Sequence, residues 1–153
     1  GAELHLFSGV KTYGSFGDKK AKEIDQIISK AKSYSSQGVF VRDPATKLQL
    51  VEEFNLARCM LYRGDLDETF CLAVGEAQAS GVPAVVRNLG SVVERIEDKK
   101  TGFVAQSDDD FVKKTIEIMS DDKLWCFQHR NALDIQRSWR WSDAAGVFES
   151  FII

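Results

Sequence analysis

Between Arg63 and Val86 the sequence R-G-D-L-D-E-T-F-C-L-A-V-G-E-A-Q-A-S-G-V-P-A-V-V leaves the chain few ways to fold. Gly64 and the acidic residues after it make a loop behind the apolar run Cys59–Tyr62. Leu72, Ala73, Val74, Ala77 and Ala79 then predict a helix that is apolar on more than one face, hence buried rather than lying on the surface. Gly81 stands where a helix ends and Pro83 where it cannot resume. A second apolar run, Val82–Val86, follows. The order is strand, helix, strand.

Two carboxylates belong to that helix, Glu68 at its mouth and Glu76 two turns in. A buried acid is costly without partners, so each demands one. Eight residues of helix rise about 12 Å, too far for two acids to flank one scissile glycosidic bond, which needs roughly 5 to 9.5 Å. The spacing suits the two ends of an elongated ligand instead. Between the acids, the backbone N–H groups of Thr69, Phe70, Cys71 and Leu72 fall at the helix N-terminus, where unpaired donors and the helix dipole attract an anion. Acid, anion seat, acid is the pattern for a sugar, a diphosphate and a ribose. The plainer readings are a dipole partner for Glu68 and an ion pair, for instance with Arg87, for Glu76.

The stretch Glu68-x7-Glu76, with Phe70-Cys71-Leu72 inside it and Ala77-Gln78-Ala79-Ser80-Gly81-Val82-Pro83 after it, resembles the donor-site signature of the group 1 glycosyltransferases, retaining enzymes of the GT-B fold. Gly90 with Glu94, the run Thr101-Gly102-Phe103-Val104, where a turn ending at Gly102 leads into an expected strand Phe103–Ala105, and the terminal Trp141…Phe148-Glu149 segment fit the same pattern. The resemblance implies that Glu68 contacts the transferred sugar and Glu76 the ribose, with the N–H groups of Thr69 to Leu72 on the diphosphate. It further implies a nucleotide-sugar donor, no metal, and no cofactor beyond that substrate. The family more often has glycine where Cys71 stands, so Cys71 reads as a small residue beside phosphate and not as a nucleophile. The family's Arg and Lys partners for the diphosphate lie on a strand and helix that would precede residue 1, and Lys11 does not match them. The resemblance therefore implies one carboxyl-terminal donor domain, 1–153, lacking that strand and helix and the acceptor-binding domain, and inactive alone. A non-catalytic nucleotide-binding or interaction module, or a GT-B sugar-nucleotide epimerase, would share the fold.

The rest of the chain carries the same alternation. Leu4–Phe7 predicts a strand ended by Ser8-Gly9, and Tyr13–Gly17 a loop. Asp18 offers a helix start, with Ile24, Ile27, Ile28 and Ala31 as its buried stripe. Val39–Val41 is a strand, and Arg42 follows at its carboxyl end, where ligands bind in open α/β sheets. The resemblance implies that this loop lies against the nucleotide base, so Arg42 either stacks on the base or approaches a phosphate; the plainer reading is a pair with Asp43 or another nearby acid. Thr46 caps a helix with Leu48, Val51, Phe54 and Ala57 inward; Ser91 caps a short helix, Val92–Glu97. Ser107 with Asp108, Asp109 and Asp110 starts a helix rather than holding a cation, and Val112, Ile116 and Met119 form its core stripe. His129 has no acid or nucleophile beside it and reads as a surface or packing residue rather than a base. Ser142 caps a last helix carrying Ala145, Phe148 and Ile152. About five short apolar strands alternating with helices predict an α/β fold: a Rossmann-like doubly wound parallel sheet with helices on both faces.

Charge and composition exclude other classes. A net charge of −3 does not suit a nucleic-acid binder driven by phosphate neutralisation. No apolar run is long enough to span a bilayer, and the lysines Lys19, Lys20, Lys22, Lys30 and Lys32 read as a solvated face, so membrane association is not indicated. Three cysteines, without CxxC spacing, read as reduced thiols in a cytoplasmic chain.

Overall fold

The computed structural model describes residues 1–7, 14–138 and 140–152, the side chains of 14–19 excepted. Ser8-Gly9, Lys11 and Tyr13 lie outside the described residues. The chain divides into two compact units, Gly1–Leu50 and Val51–Ile153.

In the first unit β1 (Leu4–Phe7) pairs in parallel with β2 (Val39–Arg42), from Leu4↔Val39 to Phe7↔Arg42. Parallel strands need a crossover, and α1 (Gly14–Lys32) supplies it. This helix starts four residues before Asp18, so Gly14–Gly17, expected in a loop, are helical. Its inward positions are Ala21, Ile24, Ile28 and Ala31, while Ile27 faces solvent at 66% exposure. Across the boundary of the units runs α2 (Lys47–Leu56). Thr46 opens it in a reciprocal cap: its N–H donates to Gln49 Oε1 at 2.9 Å, and the Gln49 N–H to Thr46 Oγ1 at 3.3 Å. Leu48 and Val51, expected inside, are exposed; Leu50, Phe54 and Ala57 are the partly buried ones.

The second unit holds three parallel strands in the order β3 (Met60–Tyr62), β4 (Ala84–Arg87), β5 (Gly102–Ala105). The crossovers are α3 (Leu72–Ala79) and a 3-10 segment, Gly90–Arg95. Then come α4 (Asp108–Ser120), α5 (Asp122–Ser138) and α6 (Trp141–Glu149). Side chains alternate across a strand, and β4 uses both faces. Ala84 and Val86 pack with Val74 of α3 and with Cys71, Val92 and Ile96. Val85 packs on the opposite side with Phe103 and with Ile118 of α4, flanked by Leu124 and Trp125 of α5. Both faces of this sheet are covered, which is why β4 reads as an uninterrupted apolar run.

Helix faces were the least legible part. In α4 the inward positions are Phe111, Ile118 and Met119, whereas Val112 and Ile116 are exposed. Inside, the Gln78 amide of α3 donates to Thr101 Oγ1 at 3.0 Å and to its carbonyl at 3.2 Å. Trp125 donates from its indole N–H to the Arg58 carbonyl at 2.7 Å and stacks on His129, whose Nδ1 lies 2.6 Å from the Gly81 carbonyl. His129 is thus a packing residue. α6 is opened by Arg140 and Asp143 rather than by Ser142, and Phe148 and Ile152 are exposed.

Candidate functional site

The carboxyl ends of β3 and β4 feed the loops where a ligand is expected. A cleft of about 380 Å³ opens there, lined by Tyr62 from the end of β3 and by Glu68 to Ala73. The structure thus brings together five of the seven residues singled out from sequence: Glu68, Thr69, Phe70, Cys71 and Leu72.

Their backbone is not a plain helix start. α3 begins at Leu72, so Glu68 to Cys71 form a loop before it. Cys71 is the N-cap residue with φ 49° and ψ 73°, a left-handed conformation that costs an L residue about 1–2 kcal/mol. A glycine would adopt it freely. The Cys71 side chain is buried, and burial pushes its thiol pKa up, the opposite of activation.

Glu68 is the hub. Tyr62 donates its hydroxyl to Glu68 Oε2 at 2.6 Å, while the N–H groups of Cys71 and Phe70 donate to Oε1 at 2.9 and 3.3 Å. The Tyr62 hydroxyl first, and these N–H groups after it, hold the carboxyl pKa down at about 2. Tyr62 is pushed the other way, by burial first and then by the carboxylate it serves. Two of the donors expected to await an anion are therefore already gripping one, the carboxylate of Glu68. From the opposite side, the N–H and Oγ of Ser91 donate to the Glu68 carbonyl at 3.2 and 2.8 Å. Ser91 thus ties the β4 loop to the cleft rather than capping a helix.

The sign of the pH effect follows. Glu68 has a folded pKa below its ordinary 4.5, so its contribution to stability is complete above pH 4.5 and is lost as pH falls toward 2. In Tyr62→Phe the carboxylate loses its largest support. Its pKa, followed by carbon NMR of the side chain, is expected to rise toward 4.5, and the acid limb of the stability curve to move up with it.

The other two singled-out residues are not among those lining this cleft. Glu76 lies half-buried, one turn into α3 and beyond the lining residues. Because the helix starts at Leu72, only about 6 Å of helical rise precedes Glu76, and the 12 Å argued for a continuous helix does not apply. Arg87, considered as its partner, pairs with Asp108, which also accepts from Arg63 at 3.0 Å. Arg42 belongs to the first unit, exposed at the end of β2, with its guanidinium 5.5 Å from the centroid of the Phe40 ring.

The acidic run that opens α4 is structural. Ser107 Oγ accepts the Asp110 N–H at 3.1 Å, and Asp110 Oδ2 accepts the Gln106 N–H at 2.9 Å. Among the described residues no three His, Cys, Asp or Glu side chains are grouped to hold a metal ion, and no helix is long and apolar enough to cross a membrane.

Sequence reasoning passed over two residues. Tyr62 had been counted only as the end of an apolar strand, although a buried phenol needs a partner for its hydroxyl. Arg95 donates Nε–H to the Phe70 carbonyl at 2.7 Å, and its guanidinium lies over the Phe70 ring, 3.3 Å from the centroid. A cation among Val92, Val93 and Ile96 was the available signal.

Comparison with known proteins agrees with this architecture. The sequence model of the family described as "Glycosyl transferases group 1" matches residues 16–134. No curated protein matches the chain. Among solved structures, the sucrose-phosphate synthase of Thermosynechococcus elongatus superposes with a TM-score of 0.76 at 18% identity, over 98% of this chain and 37% of that one. Anabaena HepE in complex with UDP-glucose gives 0.67 at 19% identity, over 89% and 36%. The pneumococcal O-GlcNAc transferase GtfA in complex with UDP and GlcNAc gives 0.67 at 14%, over 98% and 29%. The fold matches one Rossmann-like half of a GT-B fold. The chain spans about a third of the length of these structures.

Proposed function

The chain belongs to the group 1 glycosyl transferases, and from that membership we propose that it is the donor-binding part of an enzyme moving a hexose-type sugar from a nucleoside diphosphate to an acceptor with retention. The observation that carries this reading is the cleft of Tyr62 and Glu68 to Ala73, where the Phe70 and Cys71 N–H groups converge on one oxyanion. Today that oxyanion is a carboxylate; in a donor complex it is a phosphate oxygen of the leaving diphosphate.

In this reading backbone donors from Thr69 to Leu72 and the N-terminus of α3 hold the diphosphate, and they stabilise its growing charge as the glycosidic bond breaks. Glu68 positions the sugar and, with nearby oxygens, stabilises the positive charge at its anomeric centre. Glu76 takes the ribose hydroxyls. Acceptor binding is assigned to another part of the full enzyme. Relatives crystallised with UDP, UDP-glucose or UDP and GlcNAc make a uridine nucleotide the first ligand to try.

Thermal unfolding with UDP, GDP and ADP tests the reading. A nucleotide at 100 times its Kd adds about 2.7 kcal/mol, or roughly 5–10 °C for a chain of this size. The rise is expected for one nucleotide and is expected to vanish in Glu76→Ala. A second reading, a non-catalytic module of the same fold, is favoured by the internal engagement of Glu68. Silence of the wild-type chain toward all three nucleotides would favour that one.

A further inference from the structure

Phe70 and Cys71 share a peptide group whose two ends are both engaged. A trans peptide is planar, with its C=O and N–H pointing opposite ways. At one end Arg95 donates Nε–H to the Phe70 carbonyl at 2.7 Å; at the other the Cys71 N–H donates to Glu68 Oε1 at 2.9 Å. The Arg95 guanidinium also covers the Phe70 ring at 3.3 Å, and it borders Gly75 of α3, where an added Cβ would sit 3.6 Å from Cζ. Arg95 therefore grips the ring and the carbonyl of one residue together.

This grip matters because the peptide is not in its default orientation. Cys71 is left-handed, with φ 49°, and a non-glycine residue stays there only when its surroundings hold it. We propose that Arg95 is a positioning residue for the donor cleft: by holding the Phe70 carbonyl it turns the Cys71 N–H into the cleft, where a phosphate oxygen of the donor takes it. This rests on the donor-binding reading above. The guanidinium also polarises the peptide it touches, which strengthens the N–H at the far end as a donor. Lysine does not replace it, because a point charge on a flexible stem cannot stack and donate from a planar fork at once.

The test uses Arg95→Lys and Arg95→Met in the full chain, with two readouts. The first is the titration of Glu68, which reports the Cys71 N–H without any ligand. It is expected to move up from about 2 in both variants, and the Cys71 amide resonance to shift. The second is affinity for UDP, GDP and ADP by calorimetry, expected to fall about tenfold to a hundredfold for the nucleotide the wild type binds, with no rescue by lysine. Unchanged Glu68 titration in both variants overturns the proposal, and so does a moved titration with unchanged affinity. If the wild type binds none of the nucleotides, the donor reading fails and with it the phosphate role of Arg95; a moved titration then still assigns Arg95 to the peptide. Should Arg95→Met not fold, Arg95→Lys carries both readouts, since it keeps the charge and the stem.

Discussion

Gly102→Ala is expected to lower the stability of the chain by about 3–5 kcal/mol, from overpacking and backbone strain together. The glycine opens β5 beside β4 with φ +154°, and a Cβ there would run into the Ala84 carbonyl oxygen and lie 2.9 Å from the Ala84 nitrogen. Both are backbone atoms of the central strand, and Ala84↔Gly102 is the first pair of that ladder. Neither strand can yield without breaking register. A natural domain has only about 5–15 kcal/mol to lose, and the loss shows as a fall of roughly 6–20 °C in Tm. Gly75→Ala is the control. The atoms nearest its Cβ would be the side-chain ends of Arg95 and Gln136, at the ordinary contact distance of 3.6–3.7 Å, and helix propensity favours alanine by about 1 kcal/mol. Denaturant titration of both variants decides: a Gly102→Ala midpoint like that of the wild type would mean that the β4–β5 contact is looser than described.

The second large effect concerns Glu68. Its carboxylate occupies the Phe70 and Cys71 N–H groups, so an incoming diphosphate must displace it. Charge-assisted hydrogen bonds are roughly twice as strong as neutral ones, and a carboxylate also repels the diphosphate across the cleft. Glu68→Gln weakens the first effect and removes the second. The variant is expected to bind a nucleoside diphosphate about tenfold tighter, equivalent to ~1.4 kcal/mol. A nucleotide sugar is expected to gain less, because Glu68 is assigned to its hexose. Calorimetry with both ligands measures the difference. Weaker binding of the plain diphosphate would mean that these N–H groups are not its seat.

What could be read from the sequence depended on whether the local pattern admitted one answer. The strands did: Leu4–Phe7 came out as expected, and the others shifted by one or two residues, because short apolar runs bounded by glycine, proline and acids have few alternatives. The helices of the second unit did not. Along α4, Phe111, Ile118 and Met119 make one stripe, and Val112, Ile116 and Met119 make another. Helical period fits both, and only the contact with Val85 and Phe103 selects the first. The region before α3 misled for a different reason. Acidic residues ahead of small apolar ones look like a first turn, yet the left-handed Cys71 delays the helix to Leu72. The site residues Glu68 to Leu72 were legible as a group because they are contiguous. Tyr62 and Arg95 were not, because their roles depend on chain separations of 6 and 25 residues that folding closes.

The central claim is that the Tyr62/Glu68–Ala73 cleft seats the diphosphate of a nucleotide donor. Its most direct test is a nitrogen–proton NMR titration of the wild-type chain with UDP, then GDP and ADP. One nucleotide is expected to shift the Phe70, Cys71 and Leu72 amides together, with the Tyr62–Glu68 hydrogen bond reporting release of the carboxylate. Saturable shifts confined to other parts of the chain, or no shift of these amides with any of the three, would contradict it.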